Sequence, residues 1–286
     1  MEILKLDGLC KQYPAFRLDH VSFSMQAGTI MGLIGRNGAG KTTTIKAMLH
    51  LVAPDAGRIS ICGLEMPRDE RAIRTRIGYV SGGASYYPRK RLRELTAVTQ
   101  TFYPDWDAGR YARLAQRFAL DENKRVCELS EGMKVKYQLA VAMSHRAELL
   151  ILDEPTSGLD PVSRDELLQT FLNLCEQESV SILFSTHIIS DLDACADTIT
   201  YLQNGRVAVS TDKAALTQEY LLVRGRDAAC PAALRAKLIG ARTHKGELDA
   251  LLRRADAVAL DGVSLQSADL EQIMVHLERE AEPCGN

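Results

Sequence analysis

Gly35-Arg36-Asn37-Gly38-Ala39-Gly40-Lys41-Thr42 reads G-x-x-x-x-G-K-T, between an apolar run at 29–34 and a stretch of helical character at 42–51. Strand, loop and helix in that order are the setting that lifts the pattern above a glycine-rich turn. Glycines let successive backbone N–H groups curl around an anion where a Cβ would clash. The helix after the loop aims its N-terminal dipole at the same anion. Lys41 supplies a positive charge for the far end of a phosphate chain, and the Thr42 hydroxyl suits a divalent cation. Gly35, Arg36, Asn37, Gly38, Ala39, Gly40, Lys41, Thr42 and Thr43 are therefore the candidate phosphate-binding residues.

Outward from this loop, short β-like runs stand at 3–6, 21–25, 58–61 and 77–80, with turns at Gly28 and at Pro54-Asp55-Ala56-Gly57. After Gly82-Gly83 the character changes. From about 89 to 146 apolar residues recur at helical spacing, as in Leu92, Leu95, Val98 and Phe102, so this block reads as a helical insertion. Strand and helix then alternate: a strand at 149–152, a helix at 161–177, a strand at 180–185, and a hairpin of 198–202 with 206–209 around Asn204-Gly205. That alternation predicts a largely parallel sheet with crossovers. The tail, 219–286, has strand-like 220–223 and 257–260 and helix-like 232–238 and 268–280, which predicts a small appended α/β subdomain.

Composition narrows the function classes. The chain has 286 residues, 46% of them hydrophobic, enough for a sizeable core. A formal net charge of -2 argues against a protein that coats nucleic acid, so no nucleic-acid partner is expected. No uncharged apolar run approaches the length of a membrane span, and residues 1–12 lack the apolar centre of a secretory signal. Direct membrane insertion is therefore not expected. The seven cysteines form no C-x-x-C pair and read as free thiols of a reducing compartment.

A second signal is Leu149-Leu150-Ile151-Leu152-Asp153-Glu154: four apolar residues of a buried strand, then two carboxylates at its C-terminal end. That edge of a parallel sheet is where ligands bind. Asp153 suits Mg²⁺, which prefers a carboxylate and waters. Glu154 can orient or deprotonate a water. Taken alone an acid pair after a strand is a turn or a helix cap; the loop at 35–42 is what shifts the balance.

The order of motifs is then specific. The glycine-rich loop, Leu129-Ser130-Glu131-Gly132-Met133, the acid-ended strand, Ser157-Gly158-Leu159-Asp160 and Ser185-Thr186-His187 together resemble the ATPase of ABC transporters, over roughly residues 1–210. The segments Phe102-Tyr103-Pro104-Asp105-Trp106-Asp107 and 186–191 resemble the exporter branch whose permeases are encoded separately. The resemblance implies an α/β P-loop NTPase core over 1–218, with an antiparallel β subdomain and a helical subdomain at about 84–146, followed by the C-terminal appendage. It implies ATP and Mg²⁺ as ligands, with Thr42 and Asp153 on the metal and Glu154 and His187 at the attacking water. Ser130 and Gly132 would cap the γ-phosphate held by an opposite subunit, and Asp160 would help join the two. Tyr13 would stack on adenine, with Phe16 as its rival. Each role has a plainer counterpart: Ser130 as a helix cap, Asp160 as the N-cap before Pro161, Tyr13 or Phe16 in core packing, His187 as a solvated residue at a strand end.

The partners implied are an integral-membrane permease subunit and a second copy or a related ATPase, which would put the chain in the cytoplasm, peripheral on the membrane's inner face. The basic run Arg89-Lys90-Arg91-Leu92-Arg93 lies where the family meets its permease, and equally reads as a solvated helix start. One departure is clear: where the family carries a glutamine after the strand at 77–80, this chain has Ser81-Gly82-Gly83. A soluble ATPase of the same type, or a nucleotide sensor, remains the alternative.

Overall fold

The structure, a computed structural model, describes residues 1–81, 87–257 and 263–281. They divide into two compact units, Met1–Ser210 and Thr211–Asn286.

The first unit opens with β1 (Glu2–Tyr13) and β2 (Phe16–Gln26), an antiparallel pair, and continues with β3 (Ile30–Ile34). The glycine-rich loop leads into α1 (Lys41–Met48). This helix stops short of the expected position 51 because His50 takes a left-handed φ of 54° and the Leu51 N–H folds back to the Lys46 carbonyl at 2.8 Å. Next come β4 (Ala56–Ile61), β5 (Leu64–Met66), α2 (Glu70–Arg76) and β6 (Ile77–Ser81). The helical block holds α3 (Leu92–Thr99), α4 (Ala108–Arg117) and α5 (Glu131–Ser144). Beyond it lie β7 (Leu149–Asp153), α6 (Pro161–Glu178), β8 (Ser181–Thr186), α7 (Ile189–Cys195), β9 (Thr198–Gln203) and β10 (Arg206–Asp212).

These strands make two sheets. One is antiparallel, in the order β2-β1-β4-β5. The other runs β10-β9-β3-β8-β7-β6, and its pairs β9–β3, β3–β8, β8–β7 and β7–β6 are all parallel. Every residue of β3, β7 and β8 is buried, the pattern of strands covered on both faces. Crossovers through helices are what join such strands. Register matters most for function: Ile34 lies beside Thr186, Asp153 beside Ser185, and Ser81 beside Asp153. The strands therefore end in step, and the loops that leave them gather at one edge.

The second unit contains α8 (Lys213–Glu219), β11 (Tyr220–Arg226), α9 (Ala232–Arg235), β12 (Ile239–His244), β13 (Glu247–Arg253), β14 (Val263–Ser267) and α10 (Leu270–Ala281). Its antiparallel sheet has the order β12-β13-β11-β14, with a core of its own around Val223, Leu234, Leu248, Ala250 and Leu252. The helix expected at 232–238 closes after Arg235, because the Lys237 N–H bonds to the Leu234 carbonyl and tightens the turn. Of the strand expected at 257–260, Ala257 ends a 3₁₀ turn and 258–260 lie outside the described residues. The helix α8 and the strands β12, β13 and β14 have no counterpart among the elements expected from the sequence.

Candidate active site

The loop after β3 is shaped by its own backbone. Gly38 and Gly40 take φ of 85° and 111°, in the region side chains avoid. A Cβ at Gly40 would also stand 2.7 Å from Leu18 and 2.8 Å from the Phe16 ring. The β9–β10 hairpin braces the loop from outside: the Gly205 N–H donates to the Ala39 carbonyl at 3.1 Å, and a Cβ at Gly205 would strike the Arg17 carbonyl oxygen at 1.9 Å.

Within this cradle Lys41 is 5% exposed, and its ammonium donates to the Gly35 carbonyl at 2.7 Å and the Arg36 carbonyl at 3.3 Å. Its third partner is Glu154 Oε1 at 3.1 Å. The other carboxylate oxygen, Oε2, lies 2.8 Å from His187 Nδ1. A single carboxylate thus joins the loop lysine to the histidine just beyond β8.

Asp153, the neighbouring acid, is buried and faces elsewhere. Its Oδ1 accepts from the Thr42 hydroxyl at 3.2 Å and the Ser185 hydroxyl at 2.7 Å. Ser185 also accepts the Glu154 N–H at 2.9 Å, so one buried hydroxyl orders both acids. Successive strand residues would point to opposite faces; Glu154 instead takes a left-handed φ of 51° and swings its carboxylate toward Lys41. The two hard oxygens of Thr42 and Asp153 are the donor pair that a divalent cation would use. Elsewhere, among the described residues, Cys10, Asp19 and His20 bring ligand-type atoms within 4.8 Å of one another, but Asp19 is already held by Arg17 and Arg206.

A cavity of about 580 Å³ opens onto this cluster, lined by Tyr13, Phe16, Asn37, Gly38, Gly40, Lys41, Thr42, Thr43 and Glu154. Tyr13 and Phe16 face each other across the β1–β2 hairpin, and Phe16 also packs on the core. Both aromatic candidates are thus at the cavity, with Phe16 the more committed to packing.

Ser130, Gly132 and Asp160 belong to a different cluster. The Ser130 hydroxyl caps α5, accepting from the Met133 N–H at 3.2 Å. A Cβ on Gly132 would lie 3.6 Å from Leu159 and 3.9 Å from Ser163, so the start of α5 packs on the turn before α6. Asp160 caps α6; the Ser163 hydroxyl and the N–H groups of Ser163 and Val162 hold its carboxyl below the usual range. None of the three lines the 580 Å³ cavity.

Two further groups are not evident from the sequence. Asp191 is fully buried and accepts from the Thr156 hydroxyl at 2.6 Å and the Thr186 hydroxyl at 3.2 Å. It ties the segment after Glu154 to the segment before His187. Gln138, on α5, accepts the Ser81 N–H at 3.3 Å at the end of β6; the Gly82-Gly83 departure itself lies outside the described residues. Beside Gln138 runs a groove of about 550 Å³ lined by Tyr79, Tyr87, Leu95, Val98, Phe102 and the stacked pair Tyr103–His145. Tyr87, Val98 and Phe102 stand 70%, 60% and 72% exposed there.

A sequence profile described as ABC transporter matches residues 18–157. The chain is similar to the ABC transporter ATP-binding protein YtrB of Bacillus subtilis (strain 168), 30% identical over 207 residues that cover 72% of this chain and 70% of that protein. It is 36% identical over 234 residues to the Nod factor export ATP-binding protein I of Burkholderia orbicola (strain AU 1054), covering 78% and 76%. A solved ATP-binding subunit of an ABC transporter superposes with a TM-score of 0.68 at 30% identity, over 76% of this chain and 92% of that one.

Proposed function

Given that this chain belongs to the ABC transporter family, as an ATP-binding and ATP-hydrolysing subunit, we propose that it works as a head-to-tail pair energising a separate integral-membrane permease, in the direction of export. The observation that carries the catalytic half is Glu154, whose carboxylate is shared between Lys41 and His187 at the mouth of the phosphate cradle.

In this reading the N–H groups of residues 36–43 and the Lys41 ammonium hold the triphosphate, while Tyr13 offers a flat face to the base. Thr42 and Asp153 would hold Mg²⁺, which would neutralise charge on the phosphate oxygens. Glu154 takes the proton of the attacking water on its carboxylate, and His187 fixes that carboxylate and faces the γ-phosphate. The separation of Ser130, Gly132 and Asp160 from the cradle supports a second copy: an anion site capped by a helix start is presented outward and needs a partner's phosphates to complete it.

The groove of exposed Tyr87, Val98 and Phe102, next to the basic side chains Arg89, Lys90, Arg91 and Arg93, supports the permease as the apolar partner. No described helix is long and apolar enough to cross a membrane, so in this reading attachment to the inner face of the membrane runs through that groove. Export follows the relative named for Nod factor export and the exporter-like segments at 102–107 and 186–191.

Two experiments test the pair and the docking. With hydrolysis blocked by Glu154→Gln, MgATP is expected to convert the protein to a dimer on size exclusion, and adding Ser130→Arg is expected to abolish this while nucleotide still binds. A dimer that persists with Ser130→Arg overturns the arrangement. Val98→Glu with Phe102→Glu is expected to release the protein from membrane fractions of its host; unchanged sedimentation with membranes removes the groove from the proposal.

A further inference from the structure

Away from the cradle, one face of α4 meets Arg146 and Glu178 around a cavity of about 480 Å³. Arg110, Arg113 and Arg117 all line it; spacings of three and seven put them on one side of the helix. Like charges so placed repel one another and weaken a helix unless something compensates them. The carboxylates available are Asp107 and Glu178, and both are engaged. Glu178 is in a close ion pair with Arg110, and Asp107 Oδ1 accepts the Arg110 backbone N–H at 2.8 Å as the cap of α4. Among the described residues Arg113, Arg117 and Arg146 form no salt bridge. Four guanidiniums against two carboxylates leave the cavity with an excess of two positive charges.

The cavity is framed by rigid parts. The Asp107 N–H donates to the Ser144 carbonyl at 2.8 Å, tying the start of α4 to the end of α5. Arg146 is held in a left-handed turn, φ 62°, an uncommon state for a side-chain-bearing residue. Arg146 stands three residues before β7, and Glu178 three residues before β8. The cavity therefore lies at the edge where these strands begin, opposite the edge where they end and the cradle forms.

We propose that this arginine cavity binds a phosphate-bearing anion at a site distinct from the ATP cradle. Guanidinium forks match phosphate oxygens in pairs, and a dianion balances the excess charge. At about 480 Å³ the cavity has room for more than one phosphate, so a diphosphate or a phosphorylated small molecule fits the charge and the space. A lipid phosphate headgroup shares that chemistry.

Trp106 is the only tryptophan of the chain. It directly precedes Asp107, and its ring lies 5.6 Å from that of Tyr111 on α4. Trp106 is thus the chain neighbour of a residue that lines the cavity, and it is absent from the lining of the cradle, which makes its emission the probe for the titration. With the cradle filled by ADP and the ionic strength held constant, inorganic pyrophosphate is titrated into the full chain. A saturable change with a midpoint below about 1 mM is expected, weakened at least about tenfold by Arg113→Gln with Arg146→Gln, a loss of two charge-assisted contacts. Basal ATP hydrolysis of that variant is expected to be retained, which also shows that it folds. Arg113→Lys, which keeps charge and loses the fork, is expected to fall between the two. No saturable change, or an equal change in the double glutamine variant, overturns the proposal. A second arm uses phosphatidylcholine vesicles with and without phosphatidic acid. Emission that responds to phosphatidic acid and is lost with the double variant assigns the site to a headgroup; response to pyrophosphate alone assigns it to a soluble ligand.

Discussion

Replacing Glu154 by glutamine is expected to push binding and turnover in opposite directions. Glu154 Oε1 lies 3.1 Å from Lys41 Nζ, and the lysine is only 5% exposed. A triphosphate that enters must therefore draw Lys41 away from a carboxylate. A charge-assisted hydrogen bond is worth about 1.5–3 kcal/mol. Because the Glu154 side chain is 24% exposed, solvent screening trims this to about 1–2 kcal/mol. Glutamine keeps the shape and removes the competing charge, so ATP is expected to bind roughly 5–30-fold more tightly. The same change removes the group that takes the proton from water, and the turnover rate is expected to fall by about 10²–10⁴. Calorimetry with MgATP measures the first effect, with Ser130→Arg in both proteins so that closure into a pair does not add to it. Phosphate release measures the second. Affinity that is unchanged or weaker refutes the competition between carboxylate and phosphate; turnover within about tenfold of the parent refutes the role of Glu154.

Ser185→Ala leaves the Glu154 N–H without its acceptor and Asp153 with the Thr42 hydroxyl as its remaining donor; a loss of about 1–3 kcal/mol in denaturant stability is expected, with a lower turnover rate. Stability equal to the parent's would mean that the two acids are ordered by other contacts. Asp191→Ala strands the Thr156 and Thr186 hydroxyls in a fully buried setting, and is expected to lower kcat far more than ATP affinity, because it loosens His187 and leaves the cradle intact; a change in KM alone would argue against that positioning role. Hydrogen bonds from Arg76 hold the Glu148 carboxyl below its usual range. A depressed carboxylate stabilises the fold above its unfolded value and ceases to do so as pH falls through its folded value. Arg76→Gln is therefore expected to raise the midpoint of acid unfolding and to reduce its pH dependence near pH 4, monitored by circular dichroism; an unchanged acid limb would remove this pair from the account.

How much the sequence disclosed depended on range. The cradle is local: eight consecutive residues carry the glycines, the lysine and the threonine, and the helix they start is visible in the next ten. Ser130 and Asp160 announce themselves as caps through their neighbours alone. Hydrogen bonds such as Ser185 to Asp153 and Thr156 to Asp191 join residues 32 and 35 apart, and no periodicity encodes them. Val98 and Phe102 continue the apolar spacing of Leu92, yet α3 ends at Thr99 and both residues face outward; a stripe that packs on a core and one kept for a partner look alike in composition. In the tail, β12 has one buried residue of its six, too little alternation to mark a strand, whereas Tyr220–Arg226 begins with four buried residues in a row and was legible.

The left-handed backbone at Glu154 has a consequence for the protein's history. A side chain in that conformation costs roughly 1–2 kcal/mol that glycine would not incur. The contacts of its carboxylate with Lys41 and His187 offset that cost, so the strain persists only while both partners are kept. A relative that had lost the lysine or the histidine would carry the strain with nothing to offset it, and glycine at that position would then mark a retired enzyme.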